Sequence, residues 1–318
     1  MMRLESFQSA HLFSLLWSYS NSGQLDQDMH EKIRDVLLKR AESLDLSQGH
    51  SDALPSHLFT PTSDSHPHVL QDFGDVCIVY KPPYMNVSVD GDLSERDAIQ
   101  REEHDDEDDT SSSSSSLKSW IKTSMPSPLA NSTVHAHGIL HRLDTLTSGP
   151  LLVARTHRGF YSLRVEFATQ QITKEYLALC HGTLSAHQRI DHRLKQVTLY
   201  DDLGVAVSTK TEVSPQGKPA ATLINQVDYY TRGDSTCSLA NVSILTGRTH
   251  QIRAHLSHLG HPLISDAKYN RTQFSTDRLI FNLTFLHCKR LGFSRGSVEC
   301  PLPPDLSNPL MSLTRMYM

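Results

Sequence analysis

A single carboxylate, Asp144, lies in the polar segment His141-Arg-Leu-Asp-Thr-Leu-Thr-Ser-Gly149. Apolar residues bound the segment on both sides, and a cation stands two positions before the carboxylate. Such a carboxylate is suited to act as a nucleophile or as a base. It is equally suited to cap a turn by accepting hydrogen bonds from nearby backbone amides. The residue types alone leave both interpretations open.

A second polar segment runs from Leu245 to His261 and predicts a helix over residues 249–259, with Thr249 as its N-cap. Three apolar residues form a stripe along this helix: Ile252, Leu256 and Leu259. Arg253 lies beside the stripe. Because a cation at the edge of a core-facing surface needs a counter-charge, Arg253 predicts a carboxylate partner elsewhere in the chain.

Histidines are frequent in this chain, which has 19 of them, and they suggest zinc around residues 135–141 and 250–261. No Asp, Glu or Cys accompanies them at ligand spacing, so we expect no metal site. The sequence also lacks the GxGxxG, GxxxxGK[ST], GxSxG and HExxH patterns. The common nucleotide-binding, serine-hydrolase and metalloprotease motifs are therefore absent.

The composition predicts a globular chain that neither spans a bilayer nor is secreted. Hydrophobic residues make up 38% of the 318 residues, and no apolar run is long enough for a transmembrane helix. The five cysteines form an odd number without a CxxC pair, which indicates reduced thiols. We expect an intracellular, cytoplasmic location, with an organelle left open, and no obligate protein partner.

Charge is distributed unevenly along the chain, although the net charge is only -5. Residues 1–116 contain 8 Lys and Arg against 22 Asp and Glu, whereas residues 117–318 contain 22 against 13. A basic region of this kind is suited to neutralise phosphates, although scattered surface charge gives the same total.

The hydrophobic pattern predicts an α+β fold with a mostly antiparallel sheet, because short strands outnumber helices and often follow one another directly. Helices are predicted over 29–44, 159–169 and 249–259. Strands are predicted over 75–80, 151–154, 175–180, 205–213, 221–229, 238–245 and 279–285.

Three regions follow from composition. Residues 1–68 form a helical and irregular extension, in which residues 47–67 are too polar to bury much apolar surface. Residues 69–318 form the main domain. Residues 91–116, with an acidic run followed by six serines, form a disordered insertion within it.

Taken together, the motifs resemble those of the RluA-type RNA pseudouridine synthases. The resemblance rests on the segment 141–149, on Lys174-Glu-Tyr-Leu-Ala178, on residues 245–262 and on Ser265-Asp-Ala-Lys-Tyr269. Weaker matches include Tyr80-Lys-Pro82, and the pieces follow the family order. The resemblance implies the pseudouridine synthase fold, with a mixed, mostly antiparallel sheet flanked by helices and a central active-site cleft. It also implies isomerisation of uridines in ribosomal or transfer RNA without a cofactor.

The resemblance implies that Asp144 is the catalytic aspartate, that Arg253 pairs with it, and that Tyr176 packs on the flipped base. The Tyr176 hydroxyl would be able to take part in proton removal from C5 of the base. Arg142 would fill the gap that the flipped uridine leaves in the RNA. The other expected substrate-binding residues lie in the same two motifs: His141, Thr147, Arg248, His250 and Gln251.

Two other functions compete with this interpretation. One is an inactive RNA-binding or chaperone protein on the same scaffold, although a pure binder has no need of an aspartate among phosphates. The other is a metal-dependent hydrolase that uses the histidine clusters. Pseudouridine mapping distinguishes the first from an isomerase, and metal analysis tests the second.

Overall fold

The computed structural model describes residues 4, 7–22, 26–48, 53–59, 65–87, 116–200, 206–233 and 235–316. Its α-helices, α1 to α7, are Ser9–Ser22, Gln27–Gln48, Leu117–Ser124, His157–Ala168, Gln251–His258, Phe274–Asp277 and Pro304–Met311. Strands β1 to β6 are His68–Asp72, Val76–Lys81, Gly149–Ala154, Thr173–His181, Gln188–Ile190 and Leu194–Tyr200. Strands β7 to β12 are Ala206–Val213, Thr222–Arg232, Ser235–Ile244, Leu286–Phe293, Gly296–Glu299 and Thr314–Met316.

The strands form three sheets, and every pairing between named strands is antiparallel. The first sheet has the order β1-β2-β3, and β6 and β7 form a separate hairpin. The largest sheet has the order β11-β10-β4-β9-β8-β12, with β5 beside β8. The predicted α+β class is confirmed. The predicted insertion at 91–116 lies outside the described residues, apart from Ser116.

A close backbone contact joins the first sheet to the largest one. The amide of Cys288 in β10 donates to the carbonyl of Ser148 at 2.9 Å. Gly149 follows with a φ of 132°, and a Cβ at this position would lie 2.3 Å from the carbonyl oxygen of Cys288. Only glycine fits both this conformation and this distance. The segment that contains Asp144 therefore ends at the junction of the two sheets.

Strand β4 lies in the interior of the largest sheet, between β10 and β9. Tyr176 is opposite Cys288 on one side and opposite Val242 on the other. All three belong to the largest apolar cluster. Because both neighbouring strands are paired along their length, the backbone of Tyr176 has little freedom, and its ring is held in one place.

The N-terminal helices pack on α4 through a separate apolar cluster. The predicted helix over 29–44 is confirmed and extends over Gln27–Gln48, whereas the sequence did not predict α1. Leu12, Leu16, Ile33 and Leu37 are fully buried in this cluster. Near the C-terminal end of α2, the Asp45 carboxylate accepts from the backbone amides of the first two residues of α4, at 2.8 and 2.9 Å. This contact satisfies amides that a helix start leaves without partners.

Three expectations from the sequence are wrong. Thr249 was expected to be the N-cap of the helix that contains Arg253, but the N-cap of α5 is His250, whose side chain makes no capping hydrogen bond. Residues 47–67 were expected to bury little apolar surface, yet Leu54 and Leu58 belong to the largest core cluster. The last strand was expected over 279–285, but these residues form turns and bends, and the strand is Leu286–Phe293. None of the helices in the described part of the chain is long and apolar enough to cross a membrane.

Asp45→Ala is expected to lower the free energy of unfolding by about 1–2 kcal/mol, because two amides at the start of α4 lose their acceptor. Urea denaturation measures this loss. Asp35→Ala is a matched control on the same helix, since that carboxylate is 61% exposed and its ion pair with Arg34 is a surface pair. Equal stability of the two variants would show that the Asp45 contact does not stabilise the protein.

Candidate functional site

The segment that contains Asp144 forms a turn, and a buried lysine donates hydrogen bonds to backbone carbonyls of this turn. The amide of Thr147 donates to the carbonyl of Asp144 at 2.9 Å, which closes the turn. Lys81, at the end of β2, is fully buried. Its ammonium donates to the carbonyls of Pro82, Thr145 and Thr147 at 2.8, 3.0 and 2.7 Å. Three donors thus meet three acceptors, so the turn is anchored to the first sheet.

Arg253 connects the two segments that the sequence singled out. Its Nη1 donates to Oδ2 of Asp144 at 3.0 Å. On its other edge, Nε and Nη2 donate to the two carboxylate oxygens of Asp266 at 2.8 and 2.9 Å. The side chain of Asp266 is fully buried and that of Arg253 is 8% exposed. The sequence predicted one carboxylate partner for Arg253, and the structure has two, Asp144 and Asp266.

Asp266 is itself held by backbone amides. The amides of Lys268 and Tyr269 each donate to Oδ1 of Asp266 at 3.1 Å. The ring of Tyr269 also lies under the guanidinium of Arg253, with 5.1 Å between the Cζ atom and the ring centroid. This arrangement fixes the plane of the guanidinium, because both its edge and its face have partners.

The surrounding charges keep Asp144 ionised. Burial alone would raise the pKa of its carboxyl. The positive charges of His250, Arg253 and Arg142, and the hydrogen bond from Arg253, outweigh burial and lower that pKa to about 2. Burial acts to lower the pKa of Arg253, but the adjacent Asp266 carboxylate more than compensates and raises it. At neutral pH the pair is a carboxylate and a guanidinium.

Tyr176 contributes an aromatic ring to the site. Its side chain is almost completely buried, and Cys288 is its neighbour across the strand pair. Burial, followed by the proximity of Cys288 and Asp144, raises the pKa of the phenol well above its usual value. The ring is therefore a neutral phenol at physiological pH, suited to contact a flat, uncharged group.

Asp144, Tyr176 and Arg253 border one cavity of about 480 Å³. This volume is within the range of small-molecule sites and is sufficient for a nucleotide. Its walls come from the two predicted segments and from parts of α4, β4, β9 and β10. The side chains that contribute beyond the predicted residues include Leu140, Leu143, Phe167, Lys174, Ile244, Thr249, Ile252 and Leu286.

Of the expected substrate-binding residues, Arg142 and Arg248 line the cavity and are the most accessible. Arg142 is exposed. Arg248 is half-buried, and its Nε donates to the carbonyl of Pro219 at 3.1 Å. His250 is buried at the start of α5, with a φ of 50°, and its Nδ1 is 3.3 Å from the hydroxyl of Tyr269. Its charge contributes to the low pKa of Asp144.

His141 and Gln251 serve mainly to hold the walls of the cavity. Nε2 of His141 accepts from the amide of Leu152 at 2.9 Å, and burial, assisted by the charge of Lys174, lowers the pKa of the ring well below its usual value. The amide of Gln251 is saturated by protein groups: Oε1 accepts from Thr246 Oγ1 and Arg248 N, and Nε2 donates to Ala221 O and Thr222 Oγ1. This arrangement differs from the substrate contact that we expected of Gln251. Thr147 is buried, and its carbonyl is used by Lys81.

The histidines that suggested zinc are dispersed. His255 lies between the hydroxyl of Thr222 and the carbonyl of His192, and His261 is bonded to the carbonyl of His181. Among the residues that the structure describes, no three His, Cys, Asp or Glu side chains are grouped as metal ligands are.

Three residues of the site were missed from the sequence as functional groups. Lys81, Asp266 and Tyr269 occur in quoted motifs, but no role was assigned to them. The signal for Lys81 was a charged residue at the end of a strand that is otherwise apolar. Asp266 had no local signal, because its partner Arg253 lies 13 positions earlier.

Comparison with known proteins gives consistent results. The family model for RNA pseudouridylate synthase matches residues 75–258, which is more than half of the chain. Ribosomal large subunit pseudouridine synthase C of Pasteurella multocida is 33% identical over 183 residues, which cover 55% of this chain and 54% of that protein. Ribosomal large subunit pseudouridine synthase D of Nitrosomonas europaea is 32% identical over 195 residues, covering 58% and 54%. The chain thus spans about half the length of the curated relatives it matches.

Two solved human structures share the fold. Human RNA Pseudouridylate Synthase Domain Containing 1 has a TM-score of 0.51 and 23% identity, and the match covers 81% of this chain and 91% of that one. Human RNA Pseudouridylate Synthase Domain Containing 4 has a TM-score of 0.50 and 19% identity, with coverage of 76% and 91%.

Arg253→Gln is expected to raise the pKa of Asp144 above its value of about 2, because the variant removes a positive charge and a hydrogen bond while burial persists. When the solution is acidified, the variant should therefore lose any activity that needs the ionised carboxylate at a higher pH than the native chain does. Titration of the ¹³C-labelled Asp144 carboxyl by NMR measures the change.

Arg248→Gln is the matched control, because Arg248 lines the same cavity but is not among the charges that shift the pKa of Asp144. Arg253→Lys keeps the charge beside the buried Asp266 and should show a smaller rise. Equal pKa values in Arg253→Gln and the native chain would contradict the electrostatic account.

Lys81→Met is expected to lower the free energy of unfolding by about 3 kcal/mol or more, because buried carbonyls lose their donors. Urea denaturation measures the loss. Lys289→Met removes a lysine that is 31% exposed and whose ion pair with Glu175 spans 3.9 Å, and it should cost less than about 1 kcal/mol. A loss for Lys81→Met no larger than for Lys289→Met would show that the turn does not depend on Lys81.

Proposed function

The chain belongs to the RNA pseudouridylate synthase family, and on this premise we propose that it isomerises specific uridines in RNA to pseudouridine, with Asp144 as the catalytic residue. The observation that carries the proposal is an aspartate that is kept ionised by Arg253 and that shares a nucleotide-sized cavity with the ring of Tyr176. The proposed reaction requires no cofactor.

The reaction is an exchange of one glycosidic bond for another. The bond between C1′ and N1 breaks, the uracil turns within the cavity, and a bond forms between C1′ and C5. C5 then loses a proton and N1 gains one, so the net change is an isomerisation. An ionised carboxylate starts this sequence either as a nucleophile at C1′ or as a base at C2′. The low pKa of Asp144 means that its carboxylate is ionised at neutral pH, as both routes require.

Tyr176 and Arg142 have separate parts in the proposal. The neutral ring of Tyr176 forms a platform for the uracil, and its raised pKa favours this role over that of a proton acceptor. Arg142 is exposed at the cavity. Its planar guanidinium is suited to replace the uridine in the RNA stack once the nucleotide is flipped. Phosphates would be held by the basic part of the chain, residues 117–318.

We propose ribosomal RNA as the substrate, because the two bacterial relatives described above carry ribosomal large subunit in their names. A transfer RNA substrate is the other outcome that mapping would reveal. Either substrate agrees with the intracellular location expected from the sequence. The domain that carries the activity is the one predicted over residues 69–318.

Asp144→Ala is expected to abolish pseudouridine formation at one or a few uridines, with a loss of about a thousandfold or more in rate. Chemical mapping of pseudouridine in total RNA tests this in cells with the native chain, without it, and with the variant. The same sites should be lost in the deletion and in Asp144→Ala.

Asp228→Ala is the matched control, because this carboxylate is 51% exposed and pairs only at the surface with Arg315. It should leave every site modified. If no uridine loses its modification in the deletion, and the purified chain also leaves these RNAs unmodified, the isomerase proposal is wrong.

A further inference from the structure

Helix α1 lies outside the region that the family model matches, and it borders a small cavity beside the one that contains Asp144. Its buried side chains, Leu12, Phe13 and Leu16, pack in one cluster with residues of α4. Phe13 is stacked on Tyr161, with 6.0 Å between ring centroids. The guanidinium of Arg164 lies 4.0 Å from the centroid of Phe13. These contacts fix α1 on the surface of α4.

Trp17 lies one turn after Phe13, so both side chains are on the same side of α1. The indole is 46% exposed, which is unusual for so large an apolar side chain. It borders a cavity of about 110 Å³ together with Gln170, Ile172 and Leu245. The other side of α1 is exposed and polar at several positions. Trp17 is therefore placed at the edge of the packed face rather than inside it.

This small cavity adjoins the cavity that contains Asp144. The two share five lining residues: Phe167, Lys174, Ile244, Gly247 and Arg248. An RNA strand whose uridine enters the larger cavity must place the covalently adjacent nucleotide close to its mouth, because the backbone is continuous. The exposed indole of Trp17 and the guanidinium of Arg248 border the adjoining small cavity, within reach of such a nucleotide.

These two groups are suited to a nucleotide. An aromatic face stacks on any base, and a guanidinium pairs with phosphate. A role as a simple apolar cover would explain contact with Ile172, but it would not require the indole to remain nearly half exposed. We propose that Trp17 stacks on the base of the nucleotide adjacent to the target uridine and so contributes to the choice of site. This inference rests on the proposed function.

The RNA for the test is a short transcript of the segment that loses its pseudouridine in cells without the chain. It is prepared in an intact form and in two forms that lack the base on the 5′ or the 3′ side of the uridine. Trp17→Ala should lower kcat/KM on the intact RNA by about 5- to 150-fold. On the form that lacks the stacking base, native and variant chains should have similar kcat/KM values.

Two control variants separate stacking from structure. Trp17→Phe keeps an aromatic face and should retain most of the kcat/KM value. Tyr19→Ala removes another exposed aromatic residue of α1 that lines neither cavity, and it should match the native chain. Thermal unfolding of each variant shows whether α1 is still folded on α4.

Tryptophan fluorescence gives a second readout that does not depend on turnover. The chain has two tryptophans, and Trp120 lines neither cavity, so Trp120→Phe leaves Trp17 as the only reporter. With Asp144→Asn added to prevent reaction, intact RNA should quench this fluorescence. RNA without the stacking base should quench it much less.

The outcomes distinguish the two proposals. If the native chain modifies the RNA and Trp17→Ala does so equally well, or loses the same factor on all three RNAs, the stacking proposal is wrong and the isomerase proposal stands. If the native chain modifies none of them, both proposals are wrong.

Discussion

The guanidinium of Arg253, held between two carboxylates, is the interaction on which the site depends. Two of its N–H groups are committed to the buried Asp266, so the side chain has one orientation, and Nη1 is directed at Asp144. Buried ion pairs of this kind stabilise a fold poorly, because desolvation offsets the attraction. The arrangement is better explained by its effect on Asp144. It keeps a partly buried carboxylate ionised and leaves its second oxygen for the cavity.

This requirement explains why three distant parts of the chain must meet. Arg253 comes from α5, and Asp266 from the turn that follows it. Asp144 comes from a loop that Lys81 anchors to the first sheet and that Gly149 brings against β10. Since β10 pairs with β4, the same junction places Tyr176 beside the carboxylate. The antiparallel sheet therefore determines the distance between the Asp144 carboxylate and the ring of Tyr176.

Much of this was predictable from local sequence, because helices and strands with clear periodicity leave a signal within a few residues. The need of Arg253 for a carboxylate was also visible, since it lies beside an apolar stripe. The role of Asp266 was not visible, because an ion pair between residues 13 positions apart leaves no periodic pattern in the sequence. The apolar residues over 279–285 misled for a related reason: Phe281, Leu283 and Phe285 are buried without belonging to a strand. An alternating pattern of apolar residues indicates that one side of a segment is buried. A β-strand also needs a neighbouring strand with which it forms hydrogen bonds.

The chemistry of the site also limits where selectivity arises. In the proposed reaction, Asp144, Arg253 and Tyr176 would meet groups that every uridine has, so they would not distinguish one uridine in an RNA from another. Discrimination is a difference in affinity between sites, and it must come from contacts with the RNA around the flipped nucleotide. The residues at the cavity mouth are in the position to make such contacts. Helix α1, which carries Trp17, borders the adjoining small cavity and is fixed to α4 by its own apolar cluster, with Asp45 of the adjacent α2 capping the start of α4. A rigidly docked helix contributes to binding without an ordering cost, which a mobile arm would have to meet on every encounter.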